Sequence, residues 1–165
     1  MSKAVIELKD GRKINIELFP SDAPESVANF VKLAKEGYYK GLIFHRVIPN
    51  FMIQGGGMDE ALKPKGGAKS IKGEFMSNGI NNTVKHTGGT LSMARTMIKD
   101  SASSQFFICV ADTPHLDGEY AAFGRCSDKE SIDTVIEISK VATGSRRGHQ
   151  DVPIKSVVIK DIIAE

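Results

Sequence analysis

Phe44-His45-Arg46-Val47-Ile48-Pro49-Asn50-Phe51-Met52-Ile53-Gln54-Gly55-Gly56 sets two short apolar runs on either side of Pro49-Asn50. Residues 42–48 and 51–54 read as strands, because each run is too short for a helix and is bounded by turn residues. Alternation along the first run would put Leu42, Phe44, Arg46 and Ile48 on one face. Met52 and Gln54 would share a face of the second. An arginine on an otherwise apolar face needs a partner or a task, since an unpaired charge there is costly. Parity by itself favours the plainer of two readings, a surface arginine stacked on a ring or paired with a carboxylate. The other is a site shared by Arg46 and Gln54 and bordered by Phe51 and Met52.

The same pattern of short strands extends outward in both directions. Val5–Leu8 and Lys13–Leu18 alternate around Lys9-Asp10-Gly11-Arg12, and Asp-Gly between such runs is a hairpin signal. Further runs fall at Thr90–Ala94, Phe106–Val110, Tyr120–Arg125 and Val152–Ile163. Only two stretches carry a helical period. In 24–37, Val27, Phe30, Val31 and Ala34 recur at helical spacing, with Pro24 suited to the first turn and Gly37 to the end. In 128–140, Ile132, Val135 and Ile136 form the stripe, and Ser127-Asp128-Lys129-Glu130 fits a capping box. Eight strands and two helices without regular alternation argue against a parallel α/β sheet. They predict a mainly β fold, an eight-stranded barrel closed on itself to remove its edges, with the two helices plugging its ends. The Gly-rich stretch 55–89 reads as polar surface loops.

Composition limits the function classes. The chain has 165 residues, 41% hydrophobic and 25% charged, and no linker, repeat or composition shift divides it, so one domain over 1–165 is expected. Sixteen glycines, about 10%, exceed the usual ~7%. A net charge of +2 and a pI near 8.5 are too mild to require nucleic acid or membrane. Cys109 and Cys126 have neither metal nor disulfide-framework spacing and read as buried hydrophobes in a reduced setting. The opening MSKAVIELKDGRK lacks an apolar leader segment, so a cytoplasmic location is expected, and so small a charged domain is expected to be a monomer. Gly66-Gly67-Ala68-Lys69-Ser70 misses the phosphate-loop spacing, and Gly55-Gly56-Gly57 lacks the setting of a dinucleotide fingerprint. His45, His86, His115 and His149 match no zinc spacing, and no nucleophile elbow is present. Gly144-Ser145-Arg146-Arg147-Gly148 reads as a solvated loop. No cofactor or metal is expected.

Ser104-Gln105-Phe106-Phe107-Ile108 adds one more constraint. Adjacent phenylalanines on a strand point to opposite faces, so one can enter a core while the other lines something else.

Taken together, FHRVIPNFMIQGG at 44–56, KHTGGTLSMA at 85–94, SQFFICVA at 104–111 and LDGEYAAFGR at 116–125 resemble the cyclophilin family of peptidyl-prolyl cis-trans isomerases. The likeness spans essentially the whole chain. It implies an eight-stranded antiparallel barrel with a helix at each end, and an enzyme that accelerates rotation about X-Pro bonds and so assists folding. By this resemblance Arg46 is the catalytic arginine, which displaces the plainer reading above. Phe51, Met52, Phe107 and Leu116 match the apolar pocket for the proline ring, and Gln54 and Gln105 the polar groove lining. Ala94 and Arg95 fall where the family contacts substrate backbone. Relative to well-known eukaryotic members, His115 stands in place of tryptophan, Tyr120 of histidine and Arg95 of asparagine. Tyr120 and Arg95 look like the bacterial branch, and Tyr120 still offers a ring and a hydroxyl to the groove. Losing the indole removes apolar area and an N–H donor, which implies at most weak binding of the family inhibitor cyclosporin. The implied partners are X-Pro peptides and folding proteins. A non-catalytic proline-peptide module or chaperone using the same groove is the rival reading. A barrel carrying a small apolar ligand is a more distant one, which the bulky residues of the LSMA and QFFI strands disfavour.

Overall fold

The computed structural model describes residues 2–165. Ten strands are formed: β1 (Lys3–Leu8), β2 (Lys13–Leu18), β3 (Arg46–Ile48), β4 (Met52–Gly55), β5 (Thr90–Met93), β6 (Phe106–Cys109), β7 (Ala122–Cys126), β8 (Thr143–Arg146), β9 (His149–Pro153) and β10 (Ile159–Ala164). Two α-helices join them, α1 (Pro24–Lys35) and α2 (Lys129–Ser139). Eight strands form one antiparallel sheet in the order β10-β1-β2-β7-β5-β6-β4-β3, and β8 and β9 form a separate hairpin. The ladder stops short of full closure, because β3 and β10 do not pair as strands. The gap between these edges is bridged by the chain leading into each. Ile159 N–H donates to the Leu42 carbonyl at 2.8 Å, and Phe44 N–H donates to the Val157 carbonyl at 3.0 Å. Edge polar groups are thereby satisfied without a continuous strand.

The interior follows from strand alternation. Ile6, Leu8, Ile14, Ile16, Leu91, Phe106, Ile108 and Phe123 are buried in one core, which α1 completes with Phe30 and Leu33 and α2 with Val135 and Ile138. Phe30 has Tyr39, Phe106 and Phe123 within 5.2–5.5 Å between centroids, so aromatic rings carry much of the packing. Cys109 and Cys126 are free and buried, and burial pushes their thiols up to about 11 and about 12. They are therefore inert at neutral pH. No described helix is long and apolar enough to cross a membrane.

Several local readings need correction. Asp128, not Ser127, caps α2, its carboxylate accepting Ser131 N–H at 2.7 Å. The run 152–163 is broken by a loop between β9 and β10, and the segment 144–148, exposed throughout, is a strand and a turn rather than a loop. There Arg147 (φ 49°) and Gly148 (φ 81°) make the tight turn of the β8–β9 hairpin. Continuous alternation over 42–48 also fails. Only Arg46–Ile48 is strand, and Phe44 and His45 are both buried while Arg46 is exposed. The chain swings between them as it leaves the β10 edge.

The stretch 55–89 is not merely surface. Phe75 is fully buried in the main core, and Met58 and Leu62 form a smaller cluster with Ile43 and Val152. Polar residues go inside where they find partners. The buried Glu74 carboxylate accepts both N–H and Oγ–H of Ser26 at 2.7 Å, so it serves the N-terminus of α1, where Ala23 supplies no side-chain cap. Hydrophobic period finds the helices, but a cap delivered from 48 residues away leaves no local signal.

Candidate active site

On the outer face of the sheet, β3, β4 and β6 run side by side, with Arg46 opposite Gln54 and Gln54 opposite Phe107. Alternation sends Ile53 and Phe106 into the core, and Met52, Gln54 and Phe107 outward. Met52, Phe107 and Leu116 are nearly covered and, with Cys109, make a third apolar cluster flanked by Ile48, Phe51, Ala94 and Tyr120. An open cavity of about 200 Å³ lies above this floor. Arg46, Phe51, Met52, Gln54, Ala94, Arg95, Phe107, Leu116 and Tyr120 line it. Gln105, the tenth residue singled out in the sequence, lies in the adjoining cavity, which shares Gln54, Ala94 and Arg95 with the first.

The polar side of the cavity is a chain of hydrogen bonds. Arg46 Nη1 donates to Gln54 Oε1 at 3.4 Å, and Gln54 Nε2 donates to Gln105 Oε1 at 3.0 Å. Gly57 makes that chain possible, because a Cβ there would collide with the Gln105 side chain, which lies flat on its backbone. Part of the glycine excess thus serves internal close packing beside the groove. Arg46 is exposed and its bonded partner is a neutral amide, so its charge is available to a ligand.

The apolar floor is held from beneath. Phe107 meets the Tyr120 ring edge-on at 5.7 Å and stacks on the His86 ring at 6.0 Å and 17°. His86 Nδ1 lies 3.0 Å from Asp117 Oδ1, and its Nε2 lies 2.9 Å from Ser92 Oγ. Burial pulls the His86 imidazole below the ordinary histidine range, against the opposing pull of Asp117. Burial would raise the Asp117 carboxyl, but hydrogen bonds from the His86 N–H and ring outweigh it and hold the group ionised. An ionised carboxylate only accepts, so Nδ1 carries the proton and Nε2 accepts from Ser92. The sequence did not reveal this support, since only the fold brings Asp117 to His86 from 31 residues away. Nor did it reveal Phe75 behind Arg95, whose guanidinium carbon stands 4.7 Å from the Phe75 and Tyr120 ring centroids.

Comparison with known proteins agrees with this arrangement. The profile of the family described as cyclophilin-type peptidyl-prolyl cis-trans isomerase/CLD matches residues 4–163. The chain belongs to the cyclophilin family. A peptidyl-prolyl cis-trans isomerase of Acinetobacter baylyi is 46% identical over 173 residues, covering 98% of this chain and 88% of that protein. Peptidyl-prolyl cis-trans isomerase B of Escherichia coli K12 is 44% identical over 157 residues, covering 90% of this chain and 92% of that one. Among solved structures, a Cryptosporidium parvum cyclophilin crystallised in the presence of the dipeptide Ala-Pro superposes with a TM-score of 0.79 at 33% identity. That alignment covers 99% of this chain and 98% of the other.

Beside the arginine of this cyclophilin sits a buried titratable group. His45 is buried with Nδ1 unpartnered, and its pKa is lowered to about 4 by burial, with His149 and Arg46 adding repulsion. A depressed histidine is destabilising only when the pH forces a proton onto it. The unfolded chain takes that proton near pH 6.5, so stability is complete above this value and is lost as pH falls toward 4. A loss of about 2–3 kcal/mol is expected across that window. Chemical denaturation at a series of pH values should show it, and the slope should flatten in His45→Gln. An unchanged slope in that variant would assign the proton uptake elsewhere.

Proposed function

We propose that the cavity over Met52, Phe107 and Leu116 seats the proline ring of an X-Pro segment, and that Arg46 acts on its nitrogen. The barrier to rotating a peptide bond is about 18–20 kcal/mol, because resonance spreads the nitrogen lone pair into the carbonyl. No bond is made or broken, so neither a nucleophile nor an acid is required. What accelerates rotation is a group that binds the twisted amide more strongly than either planar form. As the bond twists, the nitrogen regains its lone pair. A guanidinium donor held beside it stabilises that state, and the apolar floor excludes water that favours the polarised planar amide. Phe51 and Tyr120 wall the ring site, while Gln54 and Gln105 orient Arg46 and the passing backbone. Ala94 and Arg95 border the same path.

The observation that carries this reading is an exposed arginine with no carboxylate partner, aimed by a glutamine over a preformed apolar pocket. A pocket that only bound proline would have no need of the charge. Folding and unfolded chains rich in X-Pro bonds are the substrate class that fits, and uncatalysed exchange over roughly tens to hundreds of seconds is what they would otherwise await. The buried free thiols suit a reducing compartment. Two-dimensional exchange NMR of an X-Pro peptide, with and without the protein, tests the reading directly. Faster cis-trans exchange supports it. Binding without faster exchange would instead make the groove a proline-peptide module.

A further inference from the structure

The cavity beneath Arg46 opens past Gln54, Ala94 and Arg95 into a second cavity of about 260 Å³, completed by Thr96, Ser101, Ser103 and Gln105. The continuous groove is lined by two cations, Arg46 and Arg95, and by no carboxylate. Neither guanidinium is neutralised. Arg46 donates to the Gln54 amide. Arg95 donates through Nε and Nη2 to the Glu119 carbonyl at 3.1 and 2.6 Å, and through Nη1 to the Thr96 carbonyl at 3.0 Å. Among the described residues neither forms an ion pair, whereas Arg12 and Arg125 both do.

Arg95 is also fixed in place. Its carbonyl bonds and the flanking Phe75 and Tyr120 rings hold the guanidinium at the junction of the two cavities. A long side chain normally loses rotamer entropy when it meets a charged ligand, and here that loss is already incurred in folding. The acidic side chains of the surrounding loops are turned to other partners. Glu119 accepts from Ser77 Oγ at 2.9 Å, Asp117 lies against His86, and Asp100 accepts from Gly73 N–H and Asn78 Nδ2. The groove therefore presents uncompensated positive charge along the path of a bound chain.

We propose that this groove selects X-Pro segments with acidic side chains in the residues flanking the X-Pro pair, and that Arg95 is the specificity-determining residue. The proposal rests on the reading of the groove as the X-Pro site. Two unit charges about 7 Å apart in a water-like medium change an equilibrium roughly threefold. Exchanging attraction for repulsion squares that factor to nearly tenfold for each arginine, so with two arginines a Glu-flanked and a Lys-flanked peptide should differ by about 50–80-fold in kcat/KM at low salt. Screening shortens to about 3 Å at 1 M ionic strength, so the difference should then collapse.

The test uses three peptides with one X-Pro pair, flanked by Glu, Gln or Lys, and exchange NMR at about 10 mM and 1 M salt. The order Glu above Gln above Lys, lost at high salt, is expected. Arg95→Met should cut the Glu-to-Lys ratio to nearly tenfold, the share of Arg46 alone, and Arg95→Lys should keep it near the full value. The ratio, not the absolute rate, is read, so a general loss of activity does not imitate the effect. Three peptides turned over within twofold of one another at low salt overturn charge selection while leaving the isomerase reading intact. A full ratio in Arg95→Met overturns the assignment to Arg95. If no peptide exchanges faster, the isomerase reading itself falls, and this one with it.

Discussion

Replacing Arg46 with alanine is expected to lower kcat/KM for an X-Pro peptide by about 10²–10³-fold, the loss typical of removing one preorganised donor to developing charge. The same change should leave the melting temperature within about 2 °C, because exposed side chains outside buried networks rarely matter by more than about 0.5 kcal/mol. Three observations support the separation. Arg46 is exposed, its one side-chain hydrogen bond is long at 3.4 Å, and Gln54 keeps its bond to Gln105 when the arginine is gone. Nothing buried is left unpartnered. Arg46→Lys keeps the charge on a flexible stem but loses the planar fork, so it should recover only part of the rate. Exchange NMR gives the rates and thermal denaturation the stability. An alanine variant with near-full turnover would remove Arg46 from the mechanism and leave the apolar pocket as the whole of it.

The second large effect separates two neighbours in sequence. Phe106→Ala is expected to cost about 3–5 kcal/mol of folding stability, the range for emptying a phenylalanine site in a well-packed core. Phe106 is fully buried, with edge-on contacts to Phe30 at 5.5 Å, Tyr39 at 5.6 Å and Phe44 at 6.0 Å. A melting temperature lower by roughly 10 °C should accompany that loss. Phe107→Ala faces the other way. Its ring lies in the smaller outer cluster under the cavity, between His86 and Tyr120. There the expected loss is chiefly of substrate binding, seen as a KM raised about tenfold with a smaller change in stability, as for one apolar contact of ~1.4 kcal/mol. Urea titrations and kinetics on both variants decide it. Equal stability losses with an unchanged KM for Phe107→Ala would place both rings in one structural core.

The contrast shows which kind of information was local. Opposite facing of Phe106 and Phe107 is a consequence of strand geometry, and it was legible in two adjacent letters. So were the Asp10-Gly11 hairpin, the two helices and the pairing of Met52 with Gln54 on one face. Strand alternation failed over 42–48, where the chain bends to bridge the β10 edge and buries both Phe44 and His45. It also failed at β8, whose residues are mostly exposed and include Gly144, so no apolar alternation marks them. Phe75 and Glu74 went unnoticed inside a polar, glycine-rich stretch because their partners, Ser26 of α1 for Glu74 and Arg95 for Phe75, lie far away in sequence.

By itself the sequence determined the periods, and with them most of the elements and their faces, and the family to which the motifs belong. Hydrophobic period is a local property, set by 2-residue and 3.6-residue geometry, and survives without knowledge of the fold. Tertiary structure decided what the charges do. Whether Arg46 and Arg95 are neutralised depends on which carbonyls, amides and carboxylates other segments bring within about 3 Å, and those partners come from strands and loops scattered along the chain. It also decided where the sheet stops short of closure and which histidine supports the pocket floor. Distances of that kind are products of packing, and a period cannot contain them.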